Sequence, residues 1–271
     1  MDKLCIITNV SKDKDLKITK ECERILKDSF NLTFSDGLDA KKTLEALDGA
    51  IATIVIGGDG TILKASSYAV SKNVPILGIN MGNLGFLADV ELSELESALL
   101  SFKNGDYNIE RRFMIEANIQ NGKTHTLCAL NDIVVSRASY TRMVGIDVFI
   151  DDTFLSSFVG DGVCISTPTG STAYSLSAGG PIIEPGLDLF LITPICPHTM
   201  NSKPIIVSKD AVLKLKLNPS FCDKSLVTSD GQASFEVNKD SIIEIKKSNL
   251  KTKLIKISQR SFYEIVHKKL Q

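Results

Sequence analysis

The spacing of hydrophobic residues changes along this chain. In its first hundred residues, short apolar runs alternate with segments in which apolar residues recur every three or four positions. Runs of the first kind predict buried strands, and segments of the second kind predict helices. The predicted strands are Leu4–Val10, Leu32–Ser35, Ile51–Ile56 and Val74–Asn80, the last of which leads into a loop at Asn80–Gly85. The predicted helices are Lys14–Phe30, Leu38–Leu47, Thr61–Val70 and Leu92–Phe102. This alternation indicates an α/β domain with a Rossmann-like parallel sheet.

From about residue 106 the pattern becomes one of alternating positions separated by turn signals. Asn121-Gly122 is a strong hairpin signal, and Asp151-Asp152 predicts a second hairpin turn. The predicted strands here are Ile109–Gln120, His125–Arg137, Val144–Ile150, Thr153–Val159, Ile205–Val207, Ala211–Leu217, Leu226–Thr228, Ser234–Val237 and Ile242–Lys246. Helix signals are sparse, apart from a short one after Ser171. These features predict a β-rich, sandwich-like second domain.

Two domains are therefore expected. The first comprises residues 1–105, and the second comprises residues 106–249. The strand Lys253–Ile257 and the helix Ser261–Leu270 are expected to return to the first domain, so that residues 250–271 belong to it.

Composition narrows the class of protein. Thirty-one lysines and arginines against 32 acidic residues give a net charge of −1, so no nucleic-acid partner is expected. The chain lacks an apolar run near the roughly 20 residues of a membrane span, and no signal peptide is apparent. The six cysteines form no CxxC pair and the three histidines are far apart, so no protein-borne metal site is predicted. We expect a soluble cytoplasmic protein with reduced thiols and no membrane partner.

The run Gly57-Gly58-Asp59-Gly60-Thr61 is the most informative motif of the chain. It lies between a predicted strand and a predicted helix, and its glycines allow the backbone to come close to a ligand. Free N–H groups at a helix N-terminus favour an anion such as phosphate. Asp59 can accept a proton from an attacking hydroxyl or help to hold a cation. The alternative is that Asp59 only caps the helix. The run matches neither a Walker A loop nor G-x-G-x-x-G.

Two further segments have unusual chemistry. Gly160–Pro181 concentrates hydroxyls and glycines around one aromatic residue, Tyr174, a composition that can bind ribose and phosphate oxygens and stack on a base. The alternative is an ordinary Gly/Ser loop between strands. Asn131-Asp132 places two polar residues inside an otherwise apolar strand, where they cost free energy unless they are hydrogen-bonded. They could read an adenine edge or a ribose, or they could mark a bulge or face solvent.

Together, these motifs resemble those of the bacterial NAD kinases. The resemblance extends from about Ile51 to Gln232 and rests on Gly57–Thr61, Asn131-Asp132, Thr167–Pro181 and Thr193–His198. It implies ATP-dependent phosphorylation of the adenosine 2′-hydroxyl of NAD, giving NADP. It also implies a divalent cation, Mg²⁺, carried with ATP, and a homo-oligomer, either a dimer or a tetramer. Inorganic polyphosphate remains an alternative donor.

The resemblance also implies residue roles. Asp59 would accept the proton of the hydroxyl, while Gly57, Gly58, Gly60 and Thr61 approach the nucleotide and its phosphates. The NAD substrate would be held by Asn131 and Asp132, with Asp161 in the same pocket and Tyr174 against a base. The remaining residues implied to contact the nucleotides are Lys64, Arg142, Thr172, Ala173, Ser175, Ser177 and Gln232. The chain departs from many members of the family at Asp132, where they have Glu, and at Val159, where they have a basic residue.

Two rival hypotheses use the same motifs. A lipid or sugar kinase could be built on the same glycine turn, in which case Tyr174 and its hydroxyl-rich segment would be incidental. A regulatory module could bind NADP without catalysis, in which case Asp59 would be structural.

Overall fold

The computed structural model describes residues 1–82, 85–139, 142–199 and 201–270. Two residues of the predicted loop at Asn80–Gly85, Asn83 and Leu84, lie outside this part of the chain. The chain divides into two compact units, Met1–Arg112 with Leu250–Gln271, and Phe113–Asn249. Every helix in the described ranges is too short or too polar to serve as a membrane span.

The first unit alternates strands and helices, which are numbered here in chain order. Its strands are β1 (Lys3–Thr8), β2 (Asn31–Ser35), β3 (Ala50–Gly57), β4 (Ile76–Asn80), β5 (Val90–Glu91), β6 (Asn108–Arg112) and β19 (Thr252–Lys256). Its helices are α1 (Lys17–Leu26), α2 (Ala40–Leu47), α3 (Asp59–Ala69), α4 (Leu95–Asn104) and α6 (Phe262–Leu270). The predicted α/β domain is confirmed.

The sheet of the first unit has the order β2-β1-β3-β4-β19-β6, with β5 beside β4. All of its pairs are parallel except that of β19 with β6. Side chains of α1 and α4 pack with Leu77 and Ile79 on one face. Gly78 faces the other way, because a Cβ there would lie 2.5 Å from Ile62 Cδ1 on α3. Helices therefore cover both faces, and the chain reverses its direction of winding between β1 and β3.

Helix α1 is shorter than the predicted helix Lys14–Phe30. A 3₁₀ turn at Lys14–Leu16 precedes it, and Asp15 and Leu16 have φ angles of 55° and 54°. Positive φ values interrupt an α-helix. The Asp13 carboxylate accepts the N–H groups of Ile18 and Thr19, so that α1 starts from a capped N-terminus.

The second unit is a β-sandwich. One sheet has the order β11-β10-β15-β18-β7-β8, and the other has the order β14-β13-β12-β9-β16-β17, with only antiparallel pairs. The core lies between the sheets. The strands are β7 (Ile115–Asn121), β8 (Lys123–Ala129), β9 (Asp132–Arg137), β10 (Val144–Ile150), β11 (Thr153–Gly160), β12 (Gly162–Ser166), β13 (Leu189–Ile195), β14 (Ile205–Ser208), β15 (Leu213–Leu217), β16 (Lys224–Ser229), β17 (Ala233–Asn238) and β18 (Ile242–Lys247), and α5 is Tyr174–Ser177.

Two predicted strands are wrong in their extent. Ile109–Gln120 is divided into β6, which pairs with β19, and β7, which belongs to the sandwich. The first unit therefore extends to Arg112 rather than to residue 105. The predicted strand His125–Arg137 is divided at Leu130-Asn131, where the chain leaves one sheet of the sandwich and enters the other. Two further strands were not predicted: β12 lies inside the predicted Gly/Ser segment Gly160–Pro181, and β13 follows that segment.

Candidate active site

The glycine turn joins β3 to α3, and its residues lie in close contact with one another. A Cβ on Gly57 would lie 2.4 Å from Thr61 Oγ1, so the Thr61 side chain requires glycine at that position. Gly58 is extended and precedes the helix, and its carbonyl accepts the N–H groups of Thr61 and Ile62. The N–H groups of Asp59 and Gly60 therefore lie at the open N-terminus of α3.

The carboxylate of Asp59 is held by the loop that follows β4. Its Oδ2 accepts the N–H of Phe86 at 2.7 Å, and its Oδ1 accepts those of Leu87 and Ala88 at 3.1 and 3.4 Å. Gly85 passes so near that a Cβ there would lie 1.8 Å from Asp59 Oδ1. Three backbone N–H groups therefore orient the carboxylate, while the position of Asp59 as the first residue of α3 fixes its backbone.

The C-terminal segment braces this loop. Buried Asp89 accepts the N–H groups of Ile257 and Ser258, and its Oδ1 lies 2.5 Å from the Nζ of Lys256. Helix α6 places the ring of Phe262 6.0 Å from the ring of Phe86. The residues returning from the end of the chain therefore fix the loop that orients Asp59.

Lysines approach the start of α3 from two directions. A cleft of about 430 Å³ is lined by Asn9, Lys12, Gly60, Thr61 and Lys64, among others. The Nζ of Lys12 lies 3.2 Å from where a Cβ of Gly58 would be. Across the described ranges of the chain, neither Lys12 nor Lys64 forms an ion pair. The cleft thus offers two cations and a helix N-terminus to an anion.

In the second unit, Asn131 and Asp132 lie where the chain crosses between the two sheets. The Asp230 carboxylate accepts the N–H groups of Leu130, Asn131 and Asp132 at 2.8–3.1 Å. Asp230 and Gly231 have φ angles of 51° and 66°, the values of a type I′ hairpin turn between β16 and β17. The turn therefore holds residues 130–132 in place, the segment at which the chain crosses from one sheet to the other; we call Asp230 the anchor of this crossing.

Asp132 is almost fully buried, with 6% of its surface exposed. Burial, and to a smaller extent the charge of Asp230, raises the pKa of Asp132 to about 7. Its strand partner across the sheet is Ser166 of β12. The side chains of Asp132, Val134 and Cys164 lie on the face of their sheet that is turned away from the sandwich core, because alternate residues belong to that core.

The hydroxyl-rich segment folds over this outer face. Thr167 donates twice at the crossing, its N–H to the carbonyl of Asn131 and its hydroxyl to the carbonyl of Leu130. A Cβ on Gly170 would lie 2.1 Å from the same Asn131 oxygen, so only glycine fits there. Ser175 is buried and its hydroxyl bonds Thr193 of β13 at 2.8 Å. The segment is therefore a packed element, and the hydroxyl of Ser175 is already used inside it.

The other predicted site residues of this unit occupy its surface. Tyr174 begins α5 and is 45% exposed, next to half-exposed Thr172 and Ala173 and exposed Ser177. Asp161 forms an ion pair with Arg137 at 3.2 Å. Gly160 and Gly162, which flank Asp161, approach the backbones of β13 and β9 too closely for a Cβ. Gln232 is exposed beside the Asp230 turn, and Arg142 is exposed just before β10.

Sequence patterns alone missed three contributors to these sites. Asp230 belongs to an Asp-Gly pair between two predicted strands, a hairpin signal that could have indicated its turn. Lys12 lies in the polar run Ser11–Lys14, which resembles any solvated loop. The donors to Asp59 are backbone groups, for which side-chain identity gives no signal.

An oriented carboxylate at a glycine turn, beside a helix N-terminus and two lysines, has the chemistry that phosphoryl transfer requires. The chain matches the family models of the ATP-NAD kinase N-terminal domain over residues 41–107 and the ATP-NAD kinase C-terminal domain over residues 130–257. It is 40% identical to the NAD kinase of Caldanaerobacter subterraneus subsp. tengcongensis and 42% identical to that of Clostridium perfringens, with 100% of this chain and 99% of each relative covered.

Two solved structures share the fold. A yeast NADH kinase complexed with NADH has a TM-score of 0.85 and 22% identity, and it is matched over 100% of this chain and 87% of its own. An NAD kinase from Archaeoglobus fulgidus in complex with ATP has a TM-score of 0.81 and 24% identity, over 98% of this chain and 99% of its own. The chain belongs to the ATP-NAD kinase family, and it is accordingly a kinase that phosphorylates NAD to NADP.

Proposed function

We propose that this chain transfers the γ-phosphoryl group of ATP to the adenosine 2′-hydroxyl of NAD, with Asp59 as the proton acceptor. The observation that carries this role is the orientation of the Asp59 carboxylate by three backbone N–H groups of residues 86–88. A residue that only capped α3 would aim its carboxylate at the N–H groups of its own helix.

The proton acceptor would be Oδ2. A carboxylate oxygen has two lone-pair positions, and Oδ1 already accepts two N–H groups of the described residues, those of Leu87 and Ala88. Oδ2 accepts one, from Phe86, and retains a position for the hydroxyl of the substrate.

In the proposed reaction, the 2′-oxygen attacks the γ-phosphorus while its proton passes to Oδ2 of Asp59. The bond between the γ-phosphorus and the β–γ bridging oxygen breaks, and ADP leaves with the bonding electrons. Phosphoryl transfer depends mainly on positioning and on neutralising charge. The N-terminus of α3, Lys12 and Lys64 supply positive charge on the protein side.

A divalent cation, which we propose to be Mg²⁺, fits this site as a companion of ATP. The described residues hold no group of three or more His, Cys, Asp or Glu side chains that could form a protein cage for a metal ion. Mg²⁺ dehydrates reluctantly and is commonly held by substrate phosphates and water with few protein ligands, so the phosphates of ATP would supply most of its ligands here and Oδ2 of Asp59 would stay available to the hydroxyl. When bound, the ion would neutralise charge on the β- and γ-phosphates.

The second unit is proposed to bind NAD through the crossing between its sheets. Asn131 and Asp132 would hydrogen-bond the nucleotide, and the half-exposed ring of Tyr174 would stack on a base. Asp161, Gln232 and residues of the segment 172–177 would complete the contacts. Arg142 would meet phosphate from its exposed position before β10.

The test is an assay of phosphoryl transfer to each acceptor, in which NADP formation is measured by a coupled enzyme and the other phosphorylated products are measured directly. Wild-type protein is offered NAD, diacylglycerol or a sugar phosphate as acceptor, and ATP or inorganic polyphosphate as donor. We expect turnover with NAD and ATP in the presence of Mg²⁺, and its loss with EDTA. Turnover of diacylglycerol or a sugar phosphate instead of NAD would support the rival kinase. Binding of NAD without turnover by any donor would support a regulatory module.

We also propose, from the family resemblance, that the protein acts as a cytoplasmic homo-oligomer, either a dimer or a tetramer. Light scattering coupled to size-exclusion chromatography gives the mass directly. A monomer that is fully active at assay concentration would contradict this.

A further inference from the structure

One face of helix α6 lies against the side chain of Phe86. The ring of Phe262 is 6.0 Å from the Phe86 ring at an interplanar angle of 45°, and the Nζ of Lys269 is 4.7 Å from the centre of the Phe86 ring. Residues seven positions apart share one face of an α-helix, and Ile265, also on that face, is buried. An aromatic contact and a cation–π contact from α6 therefore hold the same ring.

Phe86 is also the residue whose N–H lies nearest to the carboxylate of Asp59. That N–H donates to Oδ2 at 2.7 Å, and Oδ2 is the oxygen to which the proton transfer is assigned above. Phe86 belongs to a bend outside the helices and strands of the first unit. The direction of its N–H is therefore not fixed by a helix or a sheet, and it depends on what holds its side chain and its neighbours.

Helix α6 begins at a fixed point beside this loop. Ser261 and Glu264 form a capping box, in which Glu264 Oε2 accepts the N–H of Ser261 at 2.6 Å and the N–H of Glu264 donates to Ser261 Oγ at 3.3 Å. The preceding residue, Arg260, donates to the carbonyl of Asp89 at 2.7 Å and pairs with Glu94 at 2.6 Å. The start of α6 is thus tied to the end of the loop that orients Asp59.

The contact between α6 and Phe86 lies at the margin of the first unit. Phe86 and Phe262 are both half-buried, and neither belongs to the core cluster that α1 and α4 form with the sheet. A half-buried pair contributes less to folding than a core residue does, because less apolar surface is removed from water. A change at this contact is therefore expected to affect the position of Phe86 more than the stability of the unit.

We propose that Phe262 and Lys269 are positioning residues for phosphoryl transfer. Through the ring of Phe86 they keep its N–H on Oδ2 of Asp59, so that the remaining acceptor position of Oδ2 faces the hydroxyl of the substrate. They act through Phe86 and Asp59 rather than by contact with the reacting atoms. This inference rests on the proposed function and deepens it, since it gives the last helix of the chain a role in kcat.

The test measures kcat for NADP formation by the full chain at saturating NAD and ATP, together with the free energy of unfolding. Phe262→Ala removes the aromatic contact, Phe262→Leu keeps an apolar side chain there, and Lys269→Gln removes the cation. Phe30→Ala is the first control, because it removes an aromatic pair at 5.7 Å in the core of α1 and α4. Lys268→Gln is the second, because it removes a charge from the next residue of α6, which forms an exposed ion pair instead.

Phe262→Ala is expected to lower kcat about tenfold and Lys269→Gln about threefold, with Phe262→Leu closer to wild type than Phe262→Ala. Phe30→Ala should lower the free energy of unfolding at least as much as Phe262→Ala does, with kcat near that of wild type. Lys268→Gln should leave kcat unchanged. An unchanged kcat in both Phe262→Ala and Lys269→Gln would overturn the proposal, as would an equal loss of kcat in the controls.

A second measurement separates positioning of Asp59 from any other effect of α6. Phe262→Ala is combined with Asp59→Asn, which removes the proton acceptor, and the residual kcat is measured over long incubations. Because α6 acts through Asp59, the double variant should fall less than about twofold below Asp59→Asn alone. A further loss of about tenfold would show that α6 acts elsewhere and would overturn the proposal. The proposed function fails separately, if wild-type protein forms no NADP or if Asp59→Asn alone keeps the wild-type rate.

Discussion

The backbone N–H of Phe86 lies 2.7 Å from Oδ2 of Asp59, although 26 residues separate them in the chain. The donor belongs to a loop after β4, and the acceptor belongs to the turn after β3. Because these parallel strands are neighbours in the sheet, their carboxyl ends bring the two segments together. The geometry of the proposed proton acceptor therefore depends on a loop that carries no catalytic side chain.

Gly85→Ala should reduce catalysis without unfolding the protein. A Cβ at Gly85 would lie 1.8 Å from Asp59 Oδ1, so the loop or the carboxylate must shift. Displacement of a reacting group by about 1 Å can lower the rate about a hundredfold. Gly82→Ala is the control, because no atom lies within 4 Å of a Cβ at that position. Steady-state kcat and NAD affinity measure the effect. An unchanged kcat in Gly85→Ala would show that the orientation of Asp59 is unimportant.

Asp89→Asn should destabilise the first unit in a pH-dependent way. Burial alone would raise the pKa of Asp89, but Lys256 and the N–H groups of residues 257 and 258 hold it below its usual value. The stabilisation is therefore present above the unfolded-state pKa of about 3.9 and is lost as the pH falls through the lower folded-state value.

At pH 7 we expect Asp89→Asn to lower the free energy of unfolding by about 3 kcal/mol, as when a buried pair loses one partner. The difference between wild type and variant should shrink as the pH falls below about 4. Urea unfolding at several pH values measures it. A difference that is independent of pH would contradict the role of the charged carboxylate.

Asp132→Asn should have the opposite pH dependence. Burial and then the charge of Asp230 raise the pKa of Asp132 to about 7, so the folded state binds a proton that the unfolded state releases near pH 4. Wild-type stability should therefore fall between about pH 4 and pH 7, whereas the variant has no such loss.

The shift of roughly three pKa units corresponds to at most about 4 kcal/mol, by which Asp132→Asn should be the more stable protein at pH 8. Near pH 4 the two proteins should be equally stable. Asp240→Asn, on an exposed turn, is the control. A difference in the free energy of unfolding between wild type and Asp132→Asn that is the same at every pH would contradict the raised pKa.

Asp230→Ala should weaken both the second unit and its affinity for NAD. The substitution removes the acceptor of three N–H groups at the crossing, and we expect a loss of about 3 kcal/mol. Asp230→Asn is the matched variant, because Asn tolerates the positive φ and keeps one acceptor oxygen. Chemical unfolding and NAD titration should rank wild type above Asn and Asn above Ala. An Ala variant as stable as wild type would contradict the anchor.

Local patterns sufficed to predict most strands and helices of the first unit, because each of these has its own periodicity. They also sufficed for the hairpins at Asn121-Gly122 and Asp151-Asp152, whose turn residues are next to their strands. The crossing at Leu130-Asn131 has the pattern of a continuous strand, because apolar residues at the end of β8 precede it and apolar residues of β9 follow it. Its anchor, Asp230, lies about a hundred residues away, beyond the range of any local pattern.

Candidate site residues could be predicted from the sequence where the chemistry resides in side chains. Asp59, Asn131 and Asp132 are polar residues in apolar surroundings, which singled them out. The N–H groups that orient Asp59 come from Phe86, Leu87 and Ala88, whose side chains are apolar and whose positions depend on the pairing of β3 with β4. Lys12 reaches the cleft at the start of α3 only because β1 ends beside that helix.

The role of Asp59 is tested most directly by the kcat of Asp59→Asn in the NADP-forming assay, with NAD affinity measured in parallel. Asn keeps the size of the side chain and one acceptor oxygen but cannot take up the hydroxyl proton. We predict a loss of about 10²- to 10⁴-fold in kcat with NAD affinity retained. A variant that phosphorylates NAD at the wild-type rate would contradict the assignment of Asp59 as proton acceptor.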